Sequence, residues 1–175
     1  MKGLMVRSTL TPEDFAKVYK LLDLPALDCD CGSLCERICC QEYEPGVGMY
    51  LLPGEDCMFD GNEPWDGMVH FVMCRGTCPR ERRPLQCRTF PLMPYIDEDG
   101  NLDVRLDTLT GSLLCPLVRY PESHPLRPEF VDAVLSAWRI LTKDPLIRAD
   151  VLWQSRKLDQ DSLSPWRKLL SWKRK

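Results

Sequence analysis

The chain has 175 residues, 44% of them hydrophobic and 28% charged, with a formal net charge of -3. That length suits one domain of ordinary size, and the apolar share suits a core that does not depend on cross-links alone. The near-neutral balance removes any global demand for a nucleic acid or an anionic membrane as partner. No run of about 18 apolar residues exists, so no transmembrane helix is expected. The opening M-K-G-L-M-V-R-S-T-L-T-P-E-D-F lacks an apolar core and a small-residue cleavage site, so it does not read as a signal peptide. The expected compartment is the cytoplasm, where thiols stay reduced.

Thr11-Pro12-Glu13-Asp14 reads as a helix start: a threonine cap, proline in the first turn, then acids that suit the helix dipole. Phe15, Val18, Tyr19 and Leu22 follow on one face, and Pro25 ends the element. Ser33 is a candidate cap for a short helix from Leu34 to Cys40. Val47 to Leu52 and Met68 to Met73 read as strands. Pro91 to Ile96 and Leu102 to Leu106 read as a hairpin around Asp97-Glu98-Asp99-Gly100. In its second strand Leu102, Val104 and Leu106 alternate with Asp103 and Arg105, as in a one-sided sheet. A helix is expected from Pro128, with Phe130, Val131, Val134, Leu135, Trp138 and Leu141 on one broad face. A second runs from Asp144-Pro145 to about Leu158, and the two could pack as a pair.

The tail is basic, with seven Lys/Arg against two Asp between Arg156 and Lys175. Trp166, Leu169, Leu170 and Trp172 interleave with this charge. The segment reads either as a solvated end with a few docking aromatics, or as an amphipathic tail for a protein partner or an anionic surface.

Ten cysteines set this chain apart, eight of them in two short runs. The first run holds Cys29, Cys31, Cys35, Cys39 and Cys40; the second holds Cys74, Cys78 and Cys87. In a reducing compartment such clusters point to metal or redox chemistry. Cys31, Cys35 and Cys39 are four apart, so on a helix they would share one face, with Cβ atoms about 5–6 Å apart. Cys40 would point about 100° away. Cys74 and Cys78 leave a strand for a turn, where the backbone can aim two sulfurs at one point. The only histidines, His70 and His124, lie outside the cysteine runs. All-sulfur ligation is therefore expected, and four thiolates suit zinc and an iron–sulfur cluster equally well. Arg80, Arg82, Arg83 and Arg88 flank the second run and could offset the charge of a thiolate site. Arg88, between Pro84 and Pro91, is expected to be buried or to face the site. Cys57 reads as a small buried hydrophobe. Cys115 reads the same way in isolation, and Cys29 as a peripheral ligand or a spare thiol. Glu55 reads as a surface acid.

These residues resemble the CxxCxxCC family, also called the YkgJ type, described as zinc- or iron-chelating proteins. The likeness rests on the paired Cys39-Cys40, on Cys74-x3-Cys78, and on Arg83-Pro84-x2-Cys87-Arg88-x-Phe90-Pro91. A later Cys115-Pro116 step completes it. It covers roughly residues 29 to 117. The first run departs from the family name, reading C-x3-C-x3-C-C with an added C-x-C. The resemblance implies metal ligands at Cys31, Cys35, Cys39, Cys40, Cys74, Cys78, Cys87 and Cys115. It also lifts Glu55 towards orienting a ligand or binding substrate.

The expected architecture is α+β: a small cysteine-rich metal-binding domain with a short antiparallel sheet and flanking helices, plus a C-terminal helical pair. Residues 1–175 read as a single domain, with the cysteine-rich region at 29–117, a helical region at 125–159 and the basic tail at 160–175. The expected function is chelation of zinc or iron, an iron–sulfur cluster included. The alternative is a metal- or cluster-dependent enzyme for transfer or redox chemistry, which would need an open coordination position. A partner-docking role for the basic tail is a third expectation. Nucleic acid is not an expected partner, because the body of the chain is acidic and zinc-ribbon-like C-x2-C pairs are absent.

Overall fold

A computed structural model of the chain describes residues 7–41, 48–59, 64–65, 69–74, 79–109 and 115–162. Cys78 and residues 163–175 of the basic tail lie outside the described residues. The architecture is α+β, with five α-helices and two small antiparallel sheets among the described residues.

The first helix, α1, spans Pro12–Leu21. Its start is the one the sequence implies. Thr11 accepts from the Asp14 amide at 3.2 Å, and the Asp14 carboxylate accepts from the Thr11 amide at 3.0 Å. This reciprocal box satisfies two amides that the first helical turn leaves unpaired. Phe15, Val18, Tyr19 and Leu22 are all buried, as their spacing requires.

The first sheet holds β1 (Gly48–Tyr50), β2 (Pro64–Trp65) and β3 (Val69–Met73) in the order β1-β3-β2. Met49 pairs with Val72 and Tyr50 with Phe71, whose rings meet edge-on at 4.9 Å. Gly54, at φ +86°, turns the chain after β1 into a one-turn 3-10 segment, Glu55–Met58. A left-handed φ of this kind favours glycine.

A short helix, α2 (Leu85–Thr89), leads into the hairpin of β4 (Leu92–Ile96) and β5 (Leu102–Leu106). The hairpin register pairs Leu92 with Leu106 and Ile96 with Leu102. The second strand alternates in burial, as expected. The first does not: all five residues of β4 are buried. Period-two geometry supplies the reason. Leu92 and Ile96 join the main core with α1 and the helix α4 (Pro128–Leu141), while Met93 and Tyr95 face Leu158. Leu158 lies on the last helix, α5 (Pro145–Ser162). The C-terminal helices therefore do not form an isolated pair beside the cysteine half. One packs on α1 and the hairpin, the other along β4.

Asp144 sits at the joint between them, fully buried. Its Oδ1 accepts from the amides of Leu146 and Ile147, capping α5. Its Oδ2 accepts from the Ser8 hydroxyl and from the Thr9 amide and hydroxyl, tying the N-terminal segment to the far end of the chain. The main core draws on residues from Phe15 to Val151. Among the described residues, no helix is long and apolar enough to cross a membrane.

Candidate metal centre

The first cysteine run is not the helix its spacing suggested. It forms two 3-10 turns, Cys31–Leu34 and Ile38–Cys40, with Glu36 and Arg37 between them at φ 52° and 57°. Two successive left-handed residues cannot continue a right-handed helix. Asp30, rather than Ser33, caps the first turn by accepting from the Gly32 amide at 3.1 Å. The Arg37 amide then donates back to the Gly32 carbonyl at 3.0 Å, folding the run on itself. A segment this short, with Gly32 and Ser33 inside it, has little intrinsic reason to be helical.

The fold brings distant cysteines to one place. Cys31, Cys35, Cys39 and Cys40 line a cavity of about 1230 Å³. Cys74, just beyond β3, and Cys87, in α2, line the same cavity. So does Cys115, the buried N-cap residue of the short helix α3 (Pro116–Arg119). Cys29 and Cys57 are exposed and are not part of the lining. Cys57 thus differs from the buried hydrophobe expected of it, because it falls on the outer side of the 3-10 turn whose inner residue is Glu55.

The sulfurs of Cys39 and Cys40 are 3.8 Å apart. Bonds of about 2.3 Å to one tetrahedral ion hold sulfurs about 3.8 Å from each other. That pair has the spacing of two ligands. Among the described residues no three or more His, Cys, Asp or Glu side chains stand in a metal-holding group.

Electrostatics link the thiols. A hydrogen bond between Cys39 and Cys40 lowers the Cys40 pKa and raises that of Cys39, as for two sulfurs sharing one proton; Arg83 and Arg37 add to the lowering. Burial pushes Cys31 up, and charges on Asp30, Cys35 and Cys115 push the same way. Burial also raises Cys115, opposed by the backbone amides of Leu117 and Val118.

Four arginines, Arg80, Arg82, Arg83 and Arg88, line the cavity. Arg88 is buried, as its setting between two prolines suggested. Its guanidinium lies 4.4 Å from the Tyr19 ring centroid and donates to the carbonyls of Arg83 at 2.9 Å and Arg80 at 2.7 Å. Arg80 bridges to Asp23 at 3.2 Å and donates to the carbonyls of Leu22 and Leu24. Both therefore spend their donors on the backbone around the cavity.

Glu55 is the residue the sequence reading placed wrongly. It is 0% exposed, not a surface acid. Its Oε1 accepts from the Tyr19 hydroxyl and the Leu85 amide, each at 2.7 Å, and its Oε2 accepts from the Leu52 amide at 2.8 Å. Burial raises its pKa, and these donors oppose the rise. One signal in the sequence was available: an acid directly after Pro53-Gly54 can turn inward to collect amides that the turn leaves unpaired. His70 lies in β3, its backbone paired with Pro64. His124 is half-buried. No protein-family model, curated protein or solved structure matches this chain.

Proposed function

We propose that this protein chelates zinc or iron, the latter as an ion or an iron–sulfur cluster, through cysteine thiolates. The proposed ligand set is Cys31, Cys35, Cys39, Cys40, Cys74, Cys78, Cys87 and Cys115. One observation carries the reading: every described member of that set lines one cavity, while Cys29 and Cys57 lie outside it. Burying apolar surface alone gives no reason for such sorting. The donor set also fits the group. Thiolates are the ligands of structural zinc and of iron–sulfur clusters, and the Cys39–Cys40 separation of 3.8 Å matches two sulfurs on one ion.

Bound there, the metal would supply cross-links among segments that are distant in sequence. Four thiolates on a divalent ion leave about -2 on the site. Arg83, whose charge favours the thiolate forms of Cys31 and Cys40, would offset part of that charge. Metal uptake would then be coupled to the arrangement of the first run.

The cavity's size favours a second reading, an enzyme that uses the metal. A volume of about 1230 Å³ leaves space beside an ion for a substrate. Such an enzyme needs an open coordination position, detectable as an exchangeable water ligand; a site saturated with thiolates would exclude it.

Single Cys-to-Ser variants test the ligand set. Cys31→Ser and Cys115→Ser should lower metal affinity by about tenfold or more, while Cys29→Ser and Cys57→Ser retain the parent value. If the two exposed cysteines proved as costly as the lining ones, the assignment would be wrong.

A further inference from the structure

The cysteines of the cavity are held with unequal firmness. In the first run, Cys31 and Cys39 are exposed, and hydrogen bonds among residues 30 to 41 fold the run on itself. Around Cys87 the restraints come from far away in sequence. The α2 helix that carries it has five residues, and Pro84 at its N-cap supplies no side-chain acceptor. The amide of Leu85, fully buried, would be left unpaired there. Glu55 takes that amide at 2.7 Å. Gln86 donates to the Tyr50 carbonyl at 3.1 Å, fastening α2 to the first sheet. On the far side of Cys87, Arg88 is held over the Tyr19 ring and against the carbonyls of Arg80 and Arg83. Tyr19 closes the circuit by donating its hydroxyl to the same Glu55 oxygen. Cys87 therefore sits between two anchored neighbours, and both anchors meet at Glu55 and Tyr19.

We infer that Glu55, acting through the Leu85 amide and Tyr19, is a positioning residue that fixes Cys87 in the cavity as a preformed ligand. The inference rests on the thiolate–metal reading above and extends it to a residue that touches no ligand sulfur in the hydrogen bonds of the structure. The carboxylate form matters. Both oxygens accept, one from Leu52 and one from Leu85 and Tyr19. A glutamine amide has a single acceptor oxygen, so its NH2 group must face one of these donors.

The test is a double-mutant cycle on the full chain, titrated with Co2+ under anaerobic conditions. The readouts are the thiolate-to-cobalt charge-transfer absorption and the dissociation constant. Glu55→Gln should keep the parental far-UV circular dichroism and weaken Co2+ binding about tenfold, with a smaller charge-transfer band. Cys87→Ser should weaken it at least as much, and the double variant should be no weaker than Cys87→Ser alone. Should Glu55→Gln fail to fold, Tyr19→Phe serves in its place. It removes only the hydroxyl donor, keeps the ring under Arg88, and should weaken binding about threefold without adding to Cys87→Ser. Losses that simply add between position 87 and either clamp variant would overturn the positioning role while leaving the metal reading intact. Failure of the parent chain to bind Co2+ at all would sink the metal reading itself, and this inference with it.

Discussion

At Asp144 one buried carboxylate accepts from Ser8, from Thr9 twice, and from the first amides of α5. Burial alone would raise its pKa, but these donors outweigh it and hold the group below the ordinary carboxylate value. A depressed folded-state pKa means that the stabilisation is present above the unfolded carboxyl value of about 3.9, and drains away as pH falls through the folded value. Asp144→Asn should cost about 2–4 kcal/mol in urea unfolding near neutral pH, since it turns one acceptor into a donor facing buried donors. The gap between parent and variant should narrow as pH drops from about 5 to about 2. A variant within about 0.5 kcal/mol of the parent at neutral pH would contradict this account of the joint. Glu55 plays a similar part near the cavity, and the two acids were not equally legible. Asp144 precedes proline at a helix start, a local pattern that declares its role. Glu55 follows Pro53-Gly54, a weaker sign, and takes the Leu85 amide and the Tyr19 hydroxyl from segments that only the tertiary fold brings together.

Among elements, the hairpin and the capped helices were the readable ones. The period-two alternation in Leu102–Leu106, the Asp97–Gly100 turn and the Thr11–Asp14 box each act over a few residues, and each appears in the fold. The first cysteine run was not readable as conformation. Its four-residue spacing fits a helix, but Glu36 and Arg37 adopt left-handed backbone values that residue identity does not announce. The burial of both faces of β4 was hidden for a different reason. It depends on where α5 lands, a matter of tertiary packing. The contrast between the locally held first run and the anchored α2 has a dynamic consequence. On adding Zn2+ or Fe2+ to metal-free protein, amides from Gly32 to Cys40 should gain hydrogen-exchange protection of about tenfold or more, while those of α2 change little. Equal gains in both segments would mean that α2 is not preformed.

At the scale of the whole molecule, one core runs from α1 through the hairpin to α5, so the cavity rests on a frame built largely from apolar side chains. Large buried residues such as Phe15 and Phe130 each contribute about 1.5–3 kcal/mol by leaving water. The frame therefore need not depend on metal, whereas the proposed metal would add its hold on the first run. The residue pattern singled out a set of cysteines, and the described members of that set line the cavity. How close their sulfurs come was not legible, because spacing along the chain does not fix the tertiary separation of distant segments. The central claim is metal chelation, and elemental analysis of native protein purified without air tests it most directly. The account predicts about one or more zinc or iron per folded chain, with a broad absorption near 400 nm if the iron is in a cluster. Folded protein carrying less than about 0.2 metal per chain would contradict it.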